Sequence, residues 1–260
     1  MIGVFDSGFG GLSYLKEVEK VLPQYRYCYL GDQLRVPYGG RSREAIFSFT
    51  EECVHFLWKH GVKLIIIACN TASSEALRSL QQKYPEKKIL GILIPAVEDA
   101  LENKGNIGVI ATRATVSVLA YTREIQARDP KRKVFEVASP LSVPFIEEGL
   151  GKSPEHRKLL KKYLRKLKDA SVRSLILGCT HYPLIENVYR HIMGTQVHII
   201  NSAQSGALKL QTYLERHPEI EKLLEKSSVR EFFTTDSKEL FEEKGKIFYG
   251  KPFQAEKIKV

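Results

Sequence analysis

Cysteine is scarce in this chain of 260 residues, and long hydrophobic runs are missing from it. The four cysteines, Cys28, Cys53, Cys69 and Cys179, lie far apart, with no CxxC pair and no histidine at metal-ligand spacing. That pattern argues against a disulfide framework and against a zinc site, and it fits reduced thiols in a cytoplasmic protein. The longest purely apolar run, Leu64 to Cys69, falls far short of the roughly 20 residues that cross a bilayer, so neither a membrane span nor a membrane partner is expected. Met1 leads straight into the strand-like Ile2-Gly3-Val4-Phe5, without the charged leader and apolar stretch of a signal peptide, and export is not expected.

What is present is ample apolar material, 43% of residues, enough for two half-size α/β cores, and a formal charge of +10. Much of that charge is concentrated from Arg157 to Lys168, where Leu160, Tyr163, Leu164 and Leu167 recur at helical spacing. This predicts an amphipathic helix with a basic outer face. Its one aromatic residue, Tyr163, belongs to the apolar stripe and no others interleave with the charges as nucleic-acid stacking requires, so the face reads as solvated and no nucleic-acid partner is expected.

Short aliphatic or β-branched runs alternate with longer helical patterns, which implies parallel sheets. The predicted strands are Ile2–Phe5, Tyr27–Leu30, Leu64–Ala68, Ile89–Ile92, Ile107–Ala111, Val134–Val137, Leu175–Gly178 and Val197–Ile200. The predicted helices are Gly10–Leu22, Ser42–His60, Ser73–Lys83, Thr115–Arg128, Pro154–Ala170 and Leu184–Met193. Three anchors recur in order. Ile2-Gly3-Val4 returns as Ile107-Gly108-Val109, Val36-Pro37-Tyr38 as Val143-Pro144-Phe145, and the strand ending in Cys69-Asn70-Thr71 as the strand ending in Cys179-Thr180-His181, all at an offset of about 105 to 110 residues. The expectation is two pseudo-symmetric α/β domains, each a mostly parallel sheet flanked by helices, facing each other across a cleft. Residues 1–95 with about 205–260 would form the first domain and 96–204 the second.

In such a cleft each half contributes one cysteine. Moving a proton from one face of an sp3 carbon to the other calls for a base on one side and an acid on the other, and cysteine serves as either near neutral pH. A lone cysteine at a strand end is ordinarily a small core hydrophobe. Cys69 and Cys179, however, both end an apolar strand and both precede two polar residues and a helix, so Asn70, Thr71, Thr180 and His181 place donors beside the thiols. Cys28 and Cys53 lack such neighbours and read as core. His181 stands two residues beyond Cys179, where it can tune that thiol or relay its proton. Asp6-Ser7-Gly8-Phe9-Gly10-Gly11 could be a simple turn and helix start; it has glycines like a phosphate loop but no P-loop lysine, and Asp6 suits an ammonium group or a proton.

Taken together, Ile2-Gly3-Val4-Phe5-Asp6-Ser7-Gly8-Phe9-Gly10-Gly11-Leu12, Gly31-Asp32 with Arg35-Val36-Pro37-Tyr38-Gly39, Ala68-Cys69-Asn70-Thr71-Ala72 and Leu177-Gly178-Cys179-Thr180-His181-Tyr182-Pro183 resemble the motif set of bacterial glutamate racemases. The resemblance runs through the Asn201 region. It implies the aspartate/glutamate racemase superfamily fold, glutamate as the small-molecule substrate, cytoplasmic supply of D-glutamate for peptidoglycan, no cofactor and no metal, and a homodimer. It further implies that Cys69, assisted by Asp6, takes the proton from D-glutamate and that Cys179, helped by His181, takes it from L-glutamate. Asp6, Ser7, Tyr38, Gly39, Asn70, Thr71, Thr180 and His181 match substrate-binding positions. Asp32 and Glu147 match acidic partners in or near the site, and Thr112 and Thr115 a further element.

Two stretches depart from the pattern: Gln33-Leu34 replaces the small residues common after Asp32, and Ser139-Pro140 stands where many relatives have Cys-Pro. They leave a shifted substrate preference or altered subunit contacts open. Racemisation of aspartate or another amino acid is the nearest alternative, and a two-lobed binding protein that transforms nothing is the alternative from another class. The tail from about Lys222 carries no motif.

Overall fold

The structure, a computed structural model, describes residues 1–260. The first sheet is entered by β1 (Ile2–Asp6), followed by α1 (Leu12–Val21), β2 (Tyr27–Gly31), α2 (Arg43–Lys59), β3 (Leu64–Ile67), α3 (Asn70–Glu75), α4 (Leu77–Lys83) and β4 (Lys88–Gly91). Helix α5 (Leu93–Glu102) leads into the second sheet through β5 (Asn106–Ala111), α6 (Arg113–Ser117), α7 (Ala120–Arg128), β6 (Val134–Ala138), α8 (Ser142–Glu147), α9 (Pro154–Asp169), β7 (Val172–Gly178), α10 (Glu186–Met193) and β8 (His198–Asn201). The chain then continues through α11 (Ser202–Arg216), α12 (Pro218–Glu221), β9 (Arg230–Thr234), α13 (Lys238–Tyr249) and β10 (Glu256–Lys257).

The two sheets have the strand orders β10-β9-β2-β1-β3-β4 and β6-β5-β7-β8, and every strand pairing is parallel. The order β2-β1-β3-β4 is thus repeated as β6-β5-β7-β8. The repeat places β3 and β7, the two cysteine-bearing strands, at equivalent positions. After the second sheet the chain crosses back, and β9 pairs with β2 in register Tyr27 to Arg230 through Gly31 to Thr234.

Sequence explains the strands' interior character. β3 is Leu-Ile-Ile-Ile, buried at every position, because helices cover both faces of a parallel sheet and leave no solvent side for polar alternation. Helix α9 opens on Ser153, whose hydroxyl accepts from the His156 N–H, with Pro154 in the first turn. It buries His156, Leu160, Leu164 and Leu167. Arg157, Lys158, Lys161, Lys162, Arg165, Lys166 and Lys168 are all exposed on its outer face. Helix α11 lies against both α1 and α5, joining the two halves. At Gly206 an added Cβ would sit 3.0 Å from the Tyr14 ring, so α11 and α1 meet in close contact there. No helix is long and apolar enough to cross a membrane.

Three helical spans differ from expectation. The predicted helix Ser73–Lys83 begins earlier, at Asn70, because the Cys69 sulfur accepts from the Ala72 N–H and caps α3; it then breaks at Ala76. Thr115–Arg128 divides into α6 and α7 at Leu119, whose φ of 49° is left-handed. The span predicted from Leu184 starts as a 3-10 turn, Tyr182–Ile185, before α10. Helix α5, which runs through Pro95, and helices α8, α11, α12 and α13 have no counterpart among the predicted helices. Proline lies in the first turn of α5, where a missing N–H breaks no helical bond.

Candidate active site

The C-terminal ends of β1, β3 and β7 converge. Asp6 closes β1, Cys69 follows β3, and Cys179 follows β7 directly. Open parallel sheets present ligand sites at this edge, where neighbouring crossovers diverge. Both thiols are buried and lie next to polar side chains.

On one side, Ser7 Oγ is 3.4 Å from Cys69 Sγ, and the Ala72 N–H donates to the same sulfur at 3.4 Å. Burial pushes the Cys69 thiol up to about 12, and the nearby Asp6 carboxylate adds to this; the contacts from Ser7 and Ala72 oppose it. On the other side, Cys179 Sγ is 3.7 Å from His181 Nδ1, and His181 Nε2 is 2.8 Å from Glu147 Oε1 at the end of α8. Burial works against a charged imidazole, yet the contacts and charges of Cys179 and Glu147 outweigh it and raise His181 to about 10. The His181 ring is thus held between the Cys179 sulfur and the Glu147 carboxylate, in surroundings that favour its protonated form.

Asp6 connects the two sides. It is fully buried, its Oδ2 accepts from the Gly8 N–H at 3.0 Å, and its Oδ1 accepts from the Thr180 hydroxyl at 3.4 Å. Burial raises the Asp6 carboxyl above its ordinary value, with the His181 charge pulling the other way. Glycine is required beside it: a Cβ on Gly10 would lie 2.4 Å from Thr180 Oγ1 and 2.7 Å from the His181 ring. The Ser13 hydroxyl donates to the Thr180 carbonyl, fastening α1 to the Cys179 loop.

Further polar groups surround the thiols. Thr71, Thr112 and Thr115 form a hydroxyl cluster across the two halves, with Thr71 Oγ1 2.9 Å from Thr112 Oγ1 and Thr112 Oγ1 3.1 Å from Thr115 Oγ1. Gly39 abuts the same cluster, since its Cβ would fall 2.8 Å from Thr112 Cβ. Asn70 accepts from the Tyr121 hydroxyl at 2.6 Å, while its amide nitrogen is buried without a partner. An unpaired buried donor of this kind is a ready contact for an anionic ligand group.

Asp32 and Tyr38 are placed differently. The Tyr38 hydroxyl donates to Asp32 at 2.5 Å, Arg35 Nε donates to the same oxygen at 2.6 Å, and Thr235 donates to the other at 2.8 Å. Both Asp32 oxygens and the Tyr38 hydroxyl are thereby engaged with each other and with neighbours. Their contribution is to fix the Gln33–Gly40 segment.

Sequence reading missed three side chains here. Phe248, from α13, stands edge-on to the His181 ring at 5.1 Å, and Phe9 packs on both. Tyr121 orients Asn70 from α7. The tail offered no motif, and an isolated tyrosine in a helix gives no signal, so only the fold reveals them. No three His, Cys, Asp or Glu side chains cluster as metal ligands. A cavity of about 580 Å³ opens elsewhere, between α4, α5, α7 and α11, and none of the site residues line it.

The chain is similar, at 39% identity over 254 residues, to the glutamate racemase of Chlorobaculum parvum, with 96% of this chain and 92% of that one covered. Among solved structures it resembles glutamate racemase RacE1 from Bacillus anthracis, with a TM-score of 0.93 at 34% identity over 100% of this chain and 97% of that one. It also resembles the glutamate racemase from Francisella tularensis solved in complex with D-glutamate, with a TM-score of 0.91 at 34% identity and coverage of 99% and 97%. The family profile for Asp/Glu/Hydantoin racemase matches residues 2–210, and the chain belongs to that family.

Proposed function

We propose that this protein interconverts L-glutamate and D-glutamate without a cofactor, with Cys69 and Cys179 exchanging the α-proton from opposite faces. The observation that carries the reading is the pair of thiols at equivalent strand ends of two repeated sheets, each with its own auxiliary acid-base group. Close similarity to glutamate racemases selects the substrate.

In this reading the resting site holds Cys69 as the acid, since burial keeps it a thiol near neutral pH. Cys179, whose sulfur lies 3.7 Å from His181 Nδ1, acts as the base that takes the α-proton of L-glutamate while Cys69 delivers one to the other face. The two sulfurs then have exchanged roles, which is the state needed for D-glutamate. Carbanionic charge developing at the α-carbon and its carboxylate is met by fixed donors: the free Asn70 amide N–H, the Thr71, Thr112 and Thr115 hydroxyls, and Thr180. Asp6 and Ser7 receive the substrate ammonium, and Asp6 assists Cys69. Since the Tyr38 hydroxyl is engaged by Asp32, Tyr38 and Gly39 are assigned a role through their backbone. Glu147 holds His181.

The same reading takes 1–95 with about 205–260 as one domain and 96–204 as the other, closing on the substrate. Supply of D-glutamate to peptidoglycan synthesis, a cytoplasmic location and a homodimer go with it on the strength of the family resemblance alone. The test is incubation with L-glutamate in heavy water with no added cofactor, following optical activity and the α-proton signal together. Decay of optical activity with deuterium appearing at the α-carbon is expected. Absence of both would remove glutamate and bring aspartate, other amino acids and mere binding forward. Cys69→Ala and Cys179→Ala should each abolish racemisation, and full activity in either would sink the two-base mechanism.

A further inference from the structure

Beneath the Glu147–His181 pair lies a buried polar chain to which the reaction just assigned gives no part. Ser139, Ser142 and His156 are all completely buried. His156 Nδ1 is 2.8 Å from the Gly151 carbonyl oxygen, which can only accept, so the ring proton sits on Nδ1 and Nε2 is left as an acceptor. Ser142 Oγ, 2.9 Å from Nε2, therefore donates to it, and Ser139 Oγ, 2.5 Å from Ser142 Oγ, donates in turn. The direction of every bond in the chain follows from one carbonyl.

This chain reaches both members of the pair above it. Ser142 opens α8 and Glu147 closes it, while Phe145 of the same helix stacks on the His156 ring with centroids 4.8 Å apart and planes 5° from parallel. The Ser139 carbonyl accepts from the hydroxyl of Tyr182, the residue next to His181, at 3.1 Å. Gly151 is wedged between the two: an added Cβ would fall 2.9 Å from Ile185 and 3.1 Å from Ile146. A helix as short as α8 cannot fix its own orientation, so these contacts have to do it.

We propose that Ser139, Ser142 and His156 are positioning residues for the Cys179 side of the reaction, setting α8 against His181 so that Glu147 meets Nε2 and the ring presents Nδ1 to the thiol. This rests on the assignment of Cys179 as the base toward L-glutamate. None of the three hydrogen-bonds to Cys69, Ser7 or Asp6, so their loss should burden one of the two proton transfers.

Because the enantiomers have equal free energy in solution, kcat/KM must fall equally in both directions whichever transfer is damaged. The asymmetry shows instead in the α-deuterium isotope effects. For Ser142→Ala and His156→Ala, kcat/KM should fall by about tenfold to a hundredfold, as misplacing a catalytic group does. The isotope effect in the L-to-D direction, where Cys179 breaks the C–D bond, should rise relative to the D-to-L one, and Ser142→Thr should recover most of the loss. Should His156→Ala fail to fold, Ser142→Ala, which removes one oxygen atom, decides. Unchanged kcat/KM, or a fall with a lowered Tm and isotope effects in unaltered ratio, would overturn the proposal and leave the chain a purely structural one. Wild-type protein that racemises glutamate and keeps doing so as Cys179→Ala would instead overturn the base assignment, and the proposal with it.

Discussion

Replacing Glu147 with Gln tests the electrostatic core of the site with almost no change of shape. The amide oxygen can still accept from the His181 Nε2–H across the present 2.8 Å, so the hydrogen bond can survive while the charge disappears. An opposite charge at this distance moves a pKa by roughly one to three units. Solvent reaching the Glu147 side chain, which is 28% exposed, screens the interaction toward the lower end of that range. His181 should accordingly fall from about 10 toward roughly 8 to 9, a weakening on the order of 1.4 to 2.7 kcal/mol. The sign follows from which form the carboxylate favours: it stabilises the imidazolium, so its removal lets the ring lose its proton at lower pH. Below the new value the ring keeps its proton and its hydrogen bond, and activity near pH 7 should change little. Above it, the ring is neutral beside Cys179, and the alkaline limb of kcat/KM should arrive about one to two pH units earlier. The assay is an NMR titration of ring-labelled histidine, with the His181 resonance assigned by its loss in His181→Asn, alongside the pH profile of racemisation. A His181 titration that does not move in Glu147→Gln would refute this account of the charge balance.

Three further outcomes follow from the geometry. Gly10→Ala should depress activity sharply and lower stability by about 1–3 kcal/mol, because its methyl group would collide with Thr180 and the His181 ring. Gly40→Ala, whose methyl group would meet nothing within 4 Å, is the matched control and should leave both unchanged in thermal melts and racemisation assays. Iodoacetamide near pH 7 should label Cys179 first in peptide mapping, since it has the His181 ring 3.7 Å from its sulfur whereas burial pushes the Cys69, Cys28 and Cys53 thiols up; labelling led by Cys69 would contradict the proposed resting state. Finally, the exposed cations of α9 should give no salt-sensitive retardation of duplex or single-stranded DNA, and a retarded band that weakens with salt would show that the helix is more than a solvated face.

The parallel two-sheet architecture was legible because a parallel sheet writes itself into sequence as isolated apolar runs separated by amphipathic segments. The repeat was legible for a related reason: Ile2-Gly3-Val4 and Ile107-Gly108-Val109 occupy the same central strand of their sheets, β1 and β5. What escaped was structure whose pattern is set by contacts distant in sequence. Strand β9 contains Arg230 and Glu231 and looks too polar for a sheet interior, yet Glu231 accepts from Arg26 and Arg230 donates to Glu19, pairings visible only once β9 lies beside β2. Helix α8 is six residues around a proline, too short to show periodicity. The boundaries of α3 and α6 moved toward the N-terminus because Cys69 and Thr112 serve as caps, a role that thiols and hydroxyls take only when the chain presents them to the free N–H groups of the first turn.

At the site, sequence supplied the residue types and the pairing of the two strand ends, whereas the asymmetry between them belongs to the fold. The motifs around Cys69 and Cys179 read as near equivalents, a thiol followed by two polar residues. In space, Cys69 faces a serine hydroxyl, a helix N–H and a buried carboxylate, and stays protonated. Cys179 faces the His181 ring, whose protonated form is favoured by Glu147, 34 positions from His181 in sequence. Two equivalent thiols close together can share a single proton, but nothing would then decide which of them carries it. The unequal surroundings remove that equivalence in a site whose backbone is repeated, which is what the proposed division into one acid and one base needs. In the proposed mechanism each turnover inverts that assignment, and Asp6 lies between the two sides, its carboxylate accepting from Thr180 and raising the Cys69 thiol.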